Sequence, residues 1–194
     1  MNYPFVSVII PVFNDEDRLM ICLDSLHKQT YPKENFEIVV IDNGSSNPVA
    51  SKLKTYTNVR CFDEPVSGSY RARNTGIRHA LGQIIAFTDS DCIPSIDWIE
   101  NGVKALSSMK NPGIAAGRID VFFKDPKRPT WVELFEKEFA FNQEGYVKNQ
   151  HFGATANVFT TTAVIEKAGL FDESLKSGGD MEWGKRVFSA GFDV

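Results

Sequence analysis

Short apolar runs that end in polar or acidic residues recur along this chain, and helix-like stretches separate them. Residues 5–10 (FVSVII), 36–41 (FEIVVI), 59–62 (VRCF) and 83–88 (QIIAFT) are such runs. Between the first two, Leu19, Cys22, Leu23 and Leu26 fall at i, i+3, i+4 and i+7, the period of a helix with one buried face. Asp15, Glu16 and Asp17 open that stretch and Lys28 closes it, the charge order a helix dipole favours. Residues 70–81 read as a second helix, and residues 95–109 as a third with Ile96, Ile99, Val103 and Leu106 on one face. Continuous apolar strands alternating with helices predict an α/β fold. Its central sheet is mostly parallel, with helices on both faces.

The regular alternation predicts a further strand over 113–122 and then breaks at a charged, proline-containing loop, residues 124–129. An aromatic helix follows over 130–141, with Trp131, Leu134, Phe135 and Phe139 on one side. We read residues 123–150 as an insertion before the sheet resumes near Phe152. With 194 residues the chain holds one good core and is short for two, so residues 1–194 are expected to form a single domain. Residues 191–194 read as the start of another strand, which predicts a domain incomplete at its carboxyl end.

Composition narrows the function classes. Lys plus Arg total 21 against 25 Asp plus Glu, a net charge of −4, so nothing global draws the chain to nucleic acid. Cys22, Cys61 and Cys92 form no CxxC pair and stand near no histidine at zinc-site spacing, which predicts reduced thiols and a cytoplasmic setting. The start, Met1-Asn2-Tyr3-Pro4, lacks the basic and apolar build of a signal peptide. His27 and His79 read as exposed helix residues and His151 as structural.

In parallel α/β sheets, ligands bind beyond the carboxyl ends of the strands. Three runs end there in polar clusters: Val12-Phe13-Asn14-Asp15, Asp42, and Asp89-Ser90-Asp91. If the sheet is parallel, all three share one rim. Side chains at i and i+2 of an extended segment point the same way, so Asp89 and Asp91 can converge on one hard cation. Two acids that merely end a strand or cap the next helix would look the same.

Five blocks in order resemble glycosyltransferase family 2. They are residues 6–14 (VSVIIPVFN), 37–46 (EIVVIDNGSS), 72–76 (ARNTG) with 84–91 (IIAFTDSD), 169–173 (GLFDE), and 178–183 (GGDMEW). The resemblance implies the A-type glycosyltransferase fold. Residues 1–122 would form the nucleotide-binding half, and residues 123–194 the half that carries the acceptor side and the catalytic base. It also implies a nucleoside-diphosphate sugar donor, UDP- or GDP-linked, and a Mg²⁺ or Mn²⁺ cofactor. By the same carry-over, Asp42 contacts the base, Asp89 lies near the ribose, Asp91 ligates the metal, and Pro11 and Phe13 line the base pocket. Residues 152–157 (FGATAN) resemble the small-residue segment along the donor sugar.

Asp180 is the implied catalytic base. Gly179 stands where the family most often has Glu, so the usual acidic pair is reduced to Gly-Asp. Asp also caps helices well, and Asp42 in a strand-Asp-Asn-Gly sequence also suits a turn, so both keep a structural alternative. Arg73 is the candidate for a diphosphate contact, its planar donors reaching two oxygens at once; Arg71 is a weaker one, and a solvated basic face with Arg78 and His79 competes. Glu182 is the fallback base, with Arg186 four residues on as its partner.

The expected activity is metal-dependent, inverting transfer of a sugar to a glycan or a lipid-linked acceptor of the cell envelope. Peripheral membrane association would run through sequence outside these residues, at the inner face of the cell membrane. The rival expectation is a nucleotide-sugar-binding fragment that transfers nothing. An Asp-nucleophile phosphatase would want Thr where Ile93 stands. A nucleotidylyltransferase or a dehydrogenase would want a glycine-rich loop where residues 12–15 (VFND) have none.

Overall fold

The computed structural model describes residues 3–123 and 125–194, with the backbone alone for Glu138 and Phe139. In chain order the elements are β1 (Val6–Val12), α1 (Glu16–Leu26), β2 (Phe36–Asp42), β3 (Val59–Asp63), α2 (Ser69–His79), β4 (Ile84–Phe87) and α3 (Trp98–Ser108). Then come β5 (Ala115–Ala116), α4 (Trp131–Phe139), α5 (Gln143–Gln150), β6 (Val158–Thr161), α6 (Thr162–Ala168) and α7 (Gly179–Ser189).

The strands form one sheet in the order β3-β2-β1-β4-β6-β5. The first four run parallel, and β6 is antiparallel to both of its neighbours. The expected mostly parallel α/β sheet is therefore present, with its reversed strand at the β6 position. Alternation along the strands divides the core in two. Val6, Val8, Ile10, Ile38 and Val40 pack under Leu19, Leu23 and Leu26 of α1 and Ile99 and Leu106 of α3. Ile9, Val39, Ile41, Ile85 and Phe87 face Tyr70 and Ala72 of α2, Val164 of α6, and Trp183 and Val187 of α7. Full burial of each such side chain contributes roughly 1.5–3 kcal/mol.

β1 was expected to stop before Pro11, yet it continues to Val12. Val12 O accepts from Asn43 N at 2.8 Å, so the main chain of residue 12 faces β2 and that of residue 11 faces β4. The pairing with β4 ends at Ile9–Phe87, so the missing N–H of Pro11 leaves no ladder bond unmade.

Differences gather in the second half. The strand expected over 113–122 is two residues long, and the sheet resumes at Val158 rather than near Phe152. Residues 143–150 form the helix α5, which the polar sequence did not signal. α4 forms on a capping box, Thr130 and Glu133 bonding each other's main-chain N–H, but Trp131 and Phe135 of its apolar side are exposed. The side chain of Phe139 and residue Lys124 of the preceding loop lie outside the described residues, as do Met1 and Asn2. Ile96, assigned to the buried face of α3, precedes that helix and is 60% exposed. His79 is exposed as expected, whereas His27 is half-buried, its Nδ1 2.9 Å from Leu23 O. Asp193 makes an isolated parallel bridge with Pro112. Among the described residues no helix is long and apolar enough to cross a membrane.

Candidate active site

Because β1, β2 and β4 are parallel, the segments after them share one edge of the sheet. α2 comes down on that edge through Gly76: a Cβ there would stand 2.4 Å from Ile9 Cγ2, so only glycine permits the approach. One turn earlier on the same helix, Arg73 is delivered to the strand ends. A cleft of about 510 Å³ opens there, lined among others by Pro11, Phe13, Arg73, Asp89, Asp91 and Asp180. Six of the seven residues assigned from sequence therefore meet in one cavity.

The seventh, Asp42, does not line it. The residue is 3% exposed, with Oδ1 accepting from Ser45 N at 2.9 Å and Oδ2 from Val49 N at 3.1 Å. That geometry holds the turn after β2. The neighbouring Asn43 does line the cleft. Its Nδ2 donates to Glu64 O at 2.9 Å and Val66 O at 2.8 Å, and its Oδ1 accepts from Gly68 N at 2.8 Å, tying down the loop that leads into α2.

The acid pair sits on a turn rather than on an extended segment, with Cys92 N donating to Asp89 O at 3.1 Å. Asp89 Oδ1 lies 2.5 Å from Arg73 Nη2. Asp91 Oδ2 is 3.4 Å from the exposed Arg18, whose Nε is 2.6 Å from Asp15. Ser90, between the two acids, donates to Asp15 Oδ2 at 2.9 Å. Partial burial, and then the charge of Asp89, raise the Asp91 carboxyl above its ordinary value. A cation placed there would relieve both effects. Among the described residues no group of three or more His, Cys, Asp or Glu is arranged to hold a metal ion. Two carboxylates beside an open cleft suit Mg²⁺ or Mn²⁺ completed by phosphate oxygens and water.

Asp180 enters from the first turn of α7. It caps nothing: the N-cap is Gly178, and the Asp180 carboxylate instead accepts from Thr155 N at 3.1 Å and Thr155 Oγ1 at 3.2 Å. Burial raises its pKa, opposed chiefly by the charge of Arg73. Glu182, two residues on and so toward the opposite side of α7, does not line the cleft and grips Arg186 with both oxygens, at 2.6 and 2.8 Å, the expected pair. Of the basic group on α2, Arg71 pairs with Glu173 at 2.9 Å. Asn74 exchanges bonds with the main chain of Phe171 at 2.9 and 3.0 Å. His151 stacks on Phe188 with ring centroids 3.7 Å apart, away from the cleft. Ala154, Thr155 and Ala156 line it, as does Tyr70, which the sequence did not single out.

Residues 7–169 match the model of glycosyl transferase family 2. The chain is 36% identical over 196 residues to glycosyltransferase AglE of Haloferax volcanii, covering 98% of this chain and 64% of that protein. It is 24% identical over 206 residues to the dolichyl N-acetyl-alpha-D-glucosaminyl phosphate 3-beta-D-2,3-diacetamido-2,3-dideoxy-beta-D-glucuronosyltransferase of Methanococcus voltae, covering 98% and 63%. The chain thus spans a little under two thirds of these relatives' length. Among solved structures, the mannosyltransferase PcManGT of Pyrobaculum calidifontis, in complex with GDP-Man and Mn²⁺, superposes with a TM-score of 0.78 at 23% identity, covering all of this chain and 54% of that one. That likeness shows the A-type glycosyltransferase fold.

Proposed function

The chain belongs to glycosyltransferase family 2, and from that membership we propose that it is a metal-dependent, inverting glycosyltransferase using a nucleoside-diphosphate sugar. One observation carries the reading. The acid pair Asp89 and Asp91 and the buried carboxylate Asp180 reach the same cleft from separate elements. Two jobs, holding the donor diphosphate and taking a proton from the acceptor, are thereby given to different carboxylates. On this reading residues 1–122 form the nucleotide-binding half and residues 123–194 the half that carries the acceptor side and the base.

Pro11 and Phe13 form the wall for the nucleotide base, with Asp42 acting on it through the turn it holds. Asp89 faces the ribose, and Asp91, with Asp89, would hold Mg²⁺ or Mn²⁺. Such an ion would supply positive charge against the diphosphate. Arg73 adds a fixed guanidinium on the same side. Asp180 accepts the proton of the attacking hydroxyl. The small residues 154 and 156 let the donor sugar lie close to the main chain.

For the donor we infer a UDP- or GDP-linked sugar, a choice supported by the GDP-Man bound in PcManGT. For the acceptor we infer a glycan or a lipid-linked sugar of the cell envelope. The Methanococcus voltae relative, named for a dolichyl-linked phosphate acceptor, supports that class. Three free thiols and a lipid-linked acceptor fit a cytoplasmic domain at the inner face of the membrane.

The test is a thermal-shift titration with UDP, GDP and the other nucleoside diphosphates, each with and without Mn²⁺. A nucleotide that stabilises the chain far more with metal than without supports the reading. No shift at millimolar concentration with either Mn²⁺ or Mg²⁺ rejects it. Binding without transfer in the whole protein would instead match a nucleotide-sugar-binding module.

A further inference from the structure

The head of α7 carries Asp180, yet no side chain of its own helix caps it. The N-cap is Gly178, at φ +75°, and the first helical residue is Gly179. Four main-chain N–H groups at a helix start lack intrahelical partners, and a buried one left unpaired is costly. Here the partner comes from 109 residues away: Gly179 N donates to the hydroxyl oxygen of Tyr70 at 2.9 Å, in a buried bond.

The same ring fixes what position 179 can be. A Cβ added to Gly179 would stand 2.6 Å from Cε2 and Cζ of Tyr70, closer than side-chain atoms approach. A side chain at 179 and the Tyr70 ring therefore exclude each other. Tyr70 is itself held firmly: it is 8% exposed, stacks on Phe171 with centroids 5.8 Å apart, and lies 6.0 Å from the Arg73 guanidinium. Arg73 sits one turn along α2 and grips Asp89. Tyr70 thus joins the donor-side helix directly to the helix that bears the carboxylate.

We propose that Tyr70 is a positioning residue for Asp180. Its hydroxyl anchors the first turn of α7 at the cleft, taking over from across the cavity a place that a side chain at 179 would otherwise fill. The inference rests on the reading of Asp180 as the base. It concerns orientation only, since Tyr70 makes no chemical step. With the anchor in place, the Asp180 carboxylate stays on Thr155 and is presented to the acceptor hydroxyl. Without it, the turn has a buried donor to satisfy and is free to shift.

Tyr70→Phe is the sharp variant, because it keeps the ring, its stacking and the filled space beside Gly179 while deleting the acceptor atom. Hydrogen exchange of the Gly179 and Asp180 amides should then accelerate at least about tenfold, with the rest of α7 still protected. Affinity for a nucleoside diphosphate with Mn²⁺ should stay within about twofold. In the whole protein, release of nucleoside diphosphate from GDP-mannose, UDP-glucose or UDP-GlcNAc should fall at least about tenfold in kcat with KM for the donor unchanged. A second pair tests the shared space. Gly179→Ala should lower Tm in the parent chain but not in Tyr70→Ala. Unchanged exchange at 179 and 180, or an unchanged kcat in Tyr70→Phe, overturns the proposal. If Asp180→Asn also keeps full turnover, the reading of the base has failed, not the anchoring by Tyr70.

Discussion

Arg73 Nη2 stands 2.5 Å from Asp89 Oδ1, and the two side chains differ in exposure, 6% for the arginine and 34% for the aspartate. A buried cation is thus held at the floor of the cleft by an acid that still faces the opening. Arg73 is also the main influence lowering the pKa of Asp180, against the upward push of burial. One guanidinium therefore serves both the donor-side acids and the base.

Replacing that cation tests the arrangement. Arg73→Leu should lower stability by about 1–3 kcal/mol, below the roughly 3–5 of a fully buried pair because Asp89 is partly solvated. It should also weaken nucleoside diphosphate binding at least about tenfold, a loss of one charge-assisted contact. Melting curves and isothermal titration check both. Intact binding in a folded variant would remove Arg73 from the donor site.

The acids should not be equivalent. Asp89 is already neutralised by Arg73, whereas among the described residues the cation paired with Asp91 is the exposed Arg18, at 3.4 Å. The less satisfied carboxylate has more to gain from a cation. Asp91→Ala should therefore reduce Mn²⁺-dependent nucleotide binding more than Asp89→Ala does, measured by titration with and without the metal. Equal or reversed losses, with both proteins folded, would cancel the assignment of Asp91.

Asp42 offers a choice between two roles. Its oxygens hold Ser45 N and Val49 N, so Asp42→Ala should cost about 1–3 kcal/mol of stability through unpaired main-chain donors. If the residue also acts on the base, affinity should fall with and without metal alike. A destabilised variant with unchanged affinity would leave Asp42 the turn residue alone.

Much of this was legible because strand and cleft obey local rules. The apolar runs at β1, β2 and β4 announce buried parallel strands, and a parallel sheet forces their ends onto one rim. The place of Phe13, Asp89 and Asp91 on that rim followed from the strand pattern, whereas Pro11 and the roles of all four came with the resemblance to glycosyltransferase family 2. Long-range facts were not legible. Periodicity cannot say that Asp42 turns its carboxylate into its own loop, since the turn-forming and ligand-binding sequences are the same. Nor could it find Tyr70, whose significance exists only against Gly179, 109 residues on. The absent side chain at 179 was the available signal, an empty place that some other group had to fill. α5 escaped because its two apolar residues, Tyr146 and Val147, are adjacent and show no helical period, and β5 because Gly113, Gly117 and Arg118 interrupt the apolar run that suggested a longer strand.

Asp180→Asn separates structure from chemistry. Asp180 is not a helix cap, so the variant loses no cap, and the Asn oxygen can still accept from Thr155 N. Burial raises the folded pKa of Asp180 above the ordinary 3.8, so in the window just above 3.8 the folded chain keeps a proton that the unfolded chain has released. Stability therefore falls as pH rises through that window, and the cost persists at neutral pH. Asn never ionises and escapes that cost. The Tm of Asp180→Asn relative to the parent should consequently be more favourable at pH 7 than at pH 3.5. A difference that stays constant with pH would show that Asp180 is not held in a desolvated site. Nucleotide binding with Mn²⁺ should be nearly unchanged. Transfer in the whole protein should fall by about 10²–10⁴-fold, because the amide cannot accept the acceptor's proton. The parent's own rate should rise with pH as the base ionises, through a pKa raised from the ordinary 3.8. Glu182 gives no easy replacement, since both of its oxygens are committed to Arg186. If Asp180→Asn keeps more than about a tenth of parental turnover, the base lies elsewhere, and Glu182→Gln is the next variant to measure.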